Sequence, residues 1–240
     1  MSQLITLFLY FSMSNEDITY NYCFDFPDGG KKRFLVRIDS ETFVYRSPNS
    51  LSPAWAELEN HQCPSCTLSS KDNELCPIAA NIADLVVNFK GLESFKPCTV
   101  TCITVDRTCI KETTVQEGLA SIKGIIMATS GCPIMNILKP LARFHLPFAT
   151  VDEAMFRSIS AYLLRQHFNN CAGKQADFDL RHISDHYDRI QEVNDSMLKR
   201  IRKTSNLDAD KNALIILNSL AQILIMEIED SLESIKKLFP

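Results

Sequence analysis

Between Asp17 and Tyr45 apolar and polar residues alternate, ITYNYCFDF and RFLVRID flanking the turn signal Pro27-Asp28-Gly29-Gly30. Period-two alternation around glycines that accept a positive φ predicts an antiparallel β-hairpin, with TFVY as a further short strand. Ser47 to Pro53 reads as a linker, and Pro53 as the first residue of a short helix, PAWAELENH. After a polar, turn-rich stretch from His61 to Pro77, the spacing of Ile78, Ile82, Leu85, Val86 and Phe89 marks one face of a helix. TVTCITVDRTCIKETT follows as a strand or a tight pair of strands. Thr114 with Glu117 then reads as a capping box opening a helix that stops at Ser130-Gly131. A further helix, IMNILKPLARF, leads to the loop HLPFAT. Thr150 with Glu153 forms a second capping box for a helix from Val151 to about Asn169.

The C-terminal third changes in kind. Leu180, Ile183, Tyr187, Ile190, Met197 and Ile201 form one stripe between Phe178 and Lys203. Leu214, Leu217, Ala221, Leu224, Ile228, Ser231, Ile235 and Leu238 form a second at alternating spacings of three and four. These predict two long amphipathic helices joined near Asn206, an antiparallel hairpin that packs on the rest of the domain or forms a homodimer seam or a surface for a protein partner. The expected class is therefore α+β: an N-terminal β-hairpin unit, a central Cys-rich α/β region and a C-terminal helical hairpin. The expected boundaries are an extension at 1–16, an α+β domain at 17–172 and the hairpin at 173–240.

Composition narrows the function classes. The chain of 240 residues, 45% apolar and 22% charged, is that of a globular protein with a full core. A net charge of -4 speaks against a general nucleic-acid binder. The dense basic run Lys199, Arg200, Arg202 and Lys203 spreads around a helix and reads as a solvated face. The opening MSQLITLFLYFSM has no basic residue before its apolar run and no small-residue cleavage site, and the run falls short of the roughly 20 residues that span a bilayer. Met13 is a second candidate start, and no membrane partner is expected. The expected compartment is the cytoplasm, where thiols stay reduced and paired cysteines point to metal or redox chemistry.

Of nine cysteines, four lie in turn signals: Cys63 and Cys66 in CPSC, Cys76 before Pro77 and Cys132 in SGCP. A CxxC turn presents two thiolates to one ion, and two further Cys-Pro units complete a tetrahedral set. Zinc is the default ion for four thiolates in a closed structural site, an iron–sulfur cluster uses the same ligands, and a redox dithiol or plain packing are the other readings. His61, two residues before the CxxC, and His145, in FHLP, are candidate alternative ligands or hydrogen-bonding neighbours of the site, although a lone histidine in such a loop is more often a hydrogen-bonding structural residue. Cys98, Cys102 and Cys109 read as strand packing. His182 and His186 stand four apart, but Ile183 replaces the glutamate of HExxH, so they read as a solvated helix face. Arg107, Arg143 and Arg157 near element ends are candidates for binding an anion, with carbonyl capping as the simpler use. No phosphate loop, nucleophile elbow or dinucleotide fingerprint occurs.

The ordered set HQCPSC, CPIAANIADLV, QEGLASIKGIIMATSGCP and LKPLARFHLPF, followed by SAYLLRQHF, resembles an uncharacterised family of bacterial, mainly proteobacterial, proteins classed as a domain of unknown function. The shared pattern, HQCxxC…CP…MATSGCP…ARFHLPF, covers about Asp17 to Phe168 and contains all four lead cysteines. The family's CxxC is usually followed by Pro-Leu, where this chain has Thr67-Leu68. The resemblance brings no activity with it. The expected function is thus a non-catalytic metal-binding protein with a structural zinc and an interaction or regulatory role. The alternatives are a thiol-redox or metal-dependent enzyme using the CxxC with Arg143 and His145, or an iron–sulfur protein.

Overall fold

The first hairpin forms as the alternation requires. In β1 (Ile18–Asp25) and β2 (Lys31–Ile38), Tyr20, Tyr22, Phe24, Phe34, Val36 and Ile38 all turn to one buried face. Gly29 closes the turn at φ 84°, and the Phe26 N–H reaches the Gly30 carbonyl at 2.9 Å. The computed structural model describes residues 17–48, 51–202, 208–230 and 232–240, so the extension at 1–16 and the junction near Asn206 lie outside the described residues. TFVY does not become a strand. Its Tyr45 amide goes to the Thr129 carbonyl at 2.8 Å, leaving only a single bridge between Ile38 and Tyr45.

TVTCITVDRTCIKETT is a pair of strands, β3 (Pro97–Ile103) and β4 (Thr108–Thr114), giving an antiparallel sheet in the order β2-β1-β3-β4. Cys98, Val100 and Cys102 extend its buried face. Against that face lie α1 (Pro77–Phe89) and α2 (Val115–Ala128). Phe24 meets Phe89 edge-on at 4.9 Å between centroids. A Cβ at Gly118 would stand 2.4 Å from a Phe24 ring carbon, so only glycine lets α2 lie this close to the sheet.

Both expected capping boxes begin helices, but only one is made. At Thr150 the hydroxyl accepts the Glu153 N–H at 3.2 Å and the Glu153 carboxylate accepts the Thr150 N–H at 2.8 Å, opening α4 (Val151–Cys171). At Thr114 the first free N–H groups of α2, on Val115 and Gln116, go instead to the Lys96 and Ser94 carbonyls, each at 3.1 Å. The Thr114 hydroxyl makes no cap. The helix expected over IMNILKPLARF divides into a 3-10 turn, Met135–Leu138, and a short α3 (Lys139–Arg143), because Pro140 has no N–H to continue one hydrogen-bond ladder.

The C-terminal stripes form α5 (Ile183–Arg202), α6 (Asp208–Glu229) and the short α7 (Glu233–Lys236). Helix α5 starts later than expected because the Asp177 carboxylate collects the N–H groups of Arg181 and His182 while Leu180 adopts φ 61°. The second stripe breaks at Leu232, at φ 58°. Asn218 reaches Asp195 at 3.4 Å across the α5–α6 pair, as an antiparallel hairpin demands. By length and apolarity α6 is long enough to cross a membrane, yet it carries a buried ion pair onto α2: Lys123 Nζ stands 2.6 Å from Asp210 Oδ1 and 2.9 Å from the Asp210 carbonyl, with both residues excluded from solvent. One buried cluster joins sheet, central helices and tail. The fold is α+β, with the sheet N-terminal and the long helices C-terminal.

Removing one partner of the Lys123–Asp210 pair leaves a buried charge uncompensated. Lys123→Met is expected to cost about 3–5 kcal/mol in urea unfolding, while Lys123→Met with Asp210→Leu recovers most of that loss. A single substitution costing no more than the double one would contradict this assignment.

Candidate functional site

The cysteine segment is a loop with clasped ends. The Leu58 N–H bonds the Glu74 carbonyl at 2.9 Å, the Cys76 N–H bonds the Ala56 carbonyl at 2.8 Å, and Glu57 bridges Leu75. This clasp replaces the helix expected over PAWAELENH, of which only the 3-10 turn Ala54–Ala56 remains. The cause is Arg200. Its guanidinium donates to the carbonyls of Trp55, Glu57 and Leu58, which a helix would have used internally. Arg200 is 1% exposed, so the solvated-face reading of the basic run fails at this residue, although Lys199 and Arg202 are exposed. The signal was available in the apolar stripe, since Arg200 follows Val193 and Met197 at spacings of seven and three.

Within the loop the Cys66 N–H bonds the Cys63 carbonyl at 3.0 Å, closing the CxxC turn. Helix α5 secures that turn from outside: the Glu192 carboxylate accepts the Ser65 N–H at 3.1 Å and the Ser65 hydroxyl. Cys76 is the N-cap residue of α1. Cys132 follows Gly131, whose φ of 89° turns the chain out of α2, and the Cys132 N–H is held by the Ser130 hydroxyl at 3.2 Å. Three remote segments thereby bring the four thiols into one neighbourhood, with Cys76 and Cys132 buried and Cys63 and Cys66 half-buried.

The electrostatics of the cluster reflect that grouping. Burial pushes the Cys63 thiol up to about 11; a hydrogen bond from Ser196 favours its thiolate, and Cys76, Cys132 and Cys66 each oppose it. Burial also raises the Cys132 thiol, against the backbone N–H groups of Met135 and Ile134, which favour its thiolate. Cys76 and Cys66 add to the rise. The cluster is therefore crowded for uncompensated negative charge. Among the described residues no three His, Cys, Asp or Glu side chains stand in a set that could hold a metal ion, so the thiols are gathered but not closed around a point.

The other candidate residues are distributed differently. His61 is half-buried beside the loop at φ 54°. His145 belongs to a separate cluster beneath the sheet, with its Nε2 2.6 Å from the Tyr22 hydroxyl and 3.2 Å from Ser121, and its ring edge-on to Tyr20 at 5.3 Å. Burial, with the Arg157 charge adding to it, lowers the His145 pKa to about 3. Arg157 donates to the Leu141 and Phe144 carbonyls at 2.9 and 2.7 Å, the capping use expected of it. Arg143 lies over the Phe144 ring, whereas Arg107 sits in the β3–β4 turn. Cys98 and Cys102 pack in the core as expected. His182 precedes α5 and meets Asp185 at 3.3 Å; His186 is half-buried against Tyr162 rather than solvated.

The protein is thus of the α+β class, with four cysteines from three segments near enough to influence one another electrostatically. The chain belongs to the family described as domain of unknown function DUF6901, whose profile matches residues 18–240 and so includes the C-terminal helices. No curated protein matches it, and neither does any solved structure.

The buried neutral His145 sets an acid limit on stability. Its folded pKa lies below the ordinary value of 6.5, so between about pH 6.5 and 3 the unfolded chain binds a proton that the folded one refuses. Stability is full above that window and falls as pH drops through it, by about 1.4 kcal/mol per pH unit for this residue. Urea midpoints between pH 6.5 and 5 should fall more steeply for the wild type than for His145→Gln. Equal slopes would rule the buried neutral imidazole out.

Proposed function

We propose that the protein is a zinc-stapled cytoplasmic protein with a non-catalytic, interaction or regulatory role, whose ion is held by Cys63, Cys66, Cys76 and Cys132. The observation that carries this reading is the convergence of four thiols from three segments up to 69 residues apart in sequence, three of them flanked by proline on the C-terminal side. A divalent cation converts their mutual opposition into attraction, and each sulfur would move to about 2.3 Å from it. The amide N–H groups of Ile134 and Met135 and the Ser196 hydroxyl supply the hydrogen bonds that a metal-bound thiolate accepts. A redox nucleophile requires a depressed thiol pKa, opposite to the rise at Cys63. Four protein ligands leave no open coordination position, so the ion's work would be to bind the cysteine loop to α1 and the end of α2.

Elemental analysis of protein purified without added metal should find about one zinc per chain and no visible absorption. Cys132→Ser should lose the ion and unfold at lower temperature, whereas Cys98→Ser should keep it. Broad visible absorption with bound iron would replace zinc by an iron–sulfur cluster. Folded, reduced protein without any metal would overturn the reading.

A further inference from the structure

Outside the thiol cluster lies a groove of about 740 Å³ between α4, the segment 133–144 and α5. Its walls are mainly apolar, and Phe144 and Phe168, 72% and 61% exposed, line it together with the exposed Phe156 and Leu164, a grouping of apolar side chains that marks binding surfaces. It adjoins a second, apolar cavity of about 160 Å³ between α2, α4, α5 and α6, with which it shares the lining residues Leu138, Leu141, Ser158 and Tyr187, and which Met155, Ala221 and Leu224 also line. A wide groove beside a small apolar cavity fits a flexible chain better than a folded partner's surface.

Charge defines the other end of the occupant. The groove is lined by Arg157, Arg165, Arg189 and His186 and by no Asp or Glu, in a chain whose net charge is -4. Arg157 is committed to the Leu141 and Phe144 carbonyls. Arg165 and Arg189 flank His186 and have no carboxylate within ion-pair distance among the described residues. Two unpaired guanidinium groups at the mouth of an apolar pocket match a carboxylate head on an aliphatic tail, since arginine binds carboxylates through two parallel hydrogen bonds.

We infer that this groove binds a long-chain aliphatic carboxylate, with its head at Arg165 and Arg189 and its tail running past the shared Leu138 and Leu141 toward the adjoining cavity beside Ala221. The site is separate from the four thiols, although Ser65, Thr67, Pro133 and Ile134 form one of its walls.

The test uses the full chain and a fluorescent dansyl-undecanoate probe, displaced by oleate, decanoate, acetate or oleyl alcohol below their micellar concentrations. Saturable binding of one probe per chain is expected, displaced by oleate but by neither acetate nor oleyl alcohol. Reversing the two exposed charges together, Arg165→Glu with Arg189→Glu, should leave the circular dichroism and melting temperature unchanged and weaken oleate by roughly tenfold or more. Ala221→Phe should fill the adjoining cavity and weaken oleate more than decanoate. The inference is overturned by absent or non-saturable binding, by equal displacement with oleyl alcohol, or by oleate affinity unchanged in both variants. A wild-type dimer in sedimentation that binds no oleate would overturn it in favour of self-association. Binding that survives removal of bound metal and substitution of Cys132 separates this site from the thiol cluster, so either reading can fail alone.

Discussion

A guanidinium buried without a carboxylate has to find its hydrogen bonds in the backbone, and that requirement at Arg200 shapes everything around the thiols. Among the described residues its partners are the carbonyls of Trp55, Glu57 and Leu58. Each hydrogen bond to a charged group contributes about 1.5–3 kcal/mol, and leaving the donors unpaired in the interior would cost more than the burial returns. Of the three carbonyls only that of Glu57 also closes a turn among the described residues, accepting the Asn60 N–H at 3.1 Å. Residues 57 and 58 are therefore left to pair with the strand-like approach to Cys76, and the loop holding Cys63 and Cys66 hangs from that clasp. The cysteine geometry is thus a property of the C-terminal helix as much as of the loop itself.

Local rules were readable where local partners satisfy them. The β1–β2 register follows from strict alternation and a glycine turn, and α1 from a single apolar stripe. Thr114 and Thr150 carry the same motif, yet their outcomes differ for a tertiary reason. Thr150 is itself exposed and its hydroxyl is left to cap the helix, whereas Thr114 ends β4 beside the run into β3, whose Ser94 and Lys96 carbonyls accept the helix N–H groups. The prediction for Arg200 failed on charge: a basic run suggests solvent, and only its position within the apolar stripe argued otherwise. His145 takes the structural hydrogen-bonding role open to a lone loop histidine, but its partner was not legible in the sequence. It looked like a neighbour of Cys132, but Tyr22, 123 residues away, holds its ring. Turn chemistry marks each of the four cysteines in the sequence, whereas their approach to one another depends on contacts that no spacing reveals.

The groove and the thiol cluster share structure without sharing side chains. Ser65 and Thr67 continue the CxxC turn, and Pro133 and Ile134 continue the chain from Cys132, so the same short segments present sulfur to one side and a wall to the other. Helix α5 serves both as well, with Glu192 and Ser196 toward the loop and Tyr187 and Arg189 toward the groove. Precision in such a layout comes from the rigid helix, while the loop contributes chemistry.

The separation of 145 residues between Trp55 and Arg200 also bears on the order in which the ribosome supplies the parts. At roughly 5–20 residues per second, Arg200 is made about 7–30 s after the segment it holds. During that interval the hairpin and α1 have local partners, but the carbonyls of Trp55, Glu57 and Leu58 lack their guanidinium donor, and the CxxC turn lacks its support from α5. The cysteines of the nascent chain are therefore unprotected longest in the segment emerging among the first, which makes the N-terminal loop the place where premature oxidation would do most harm.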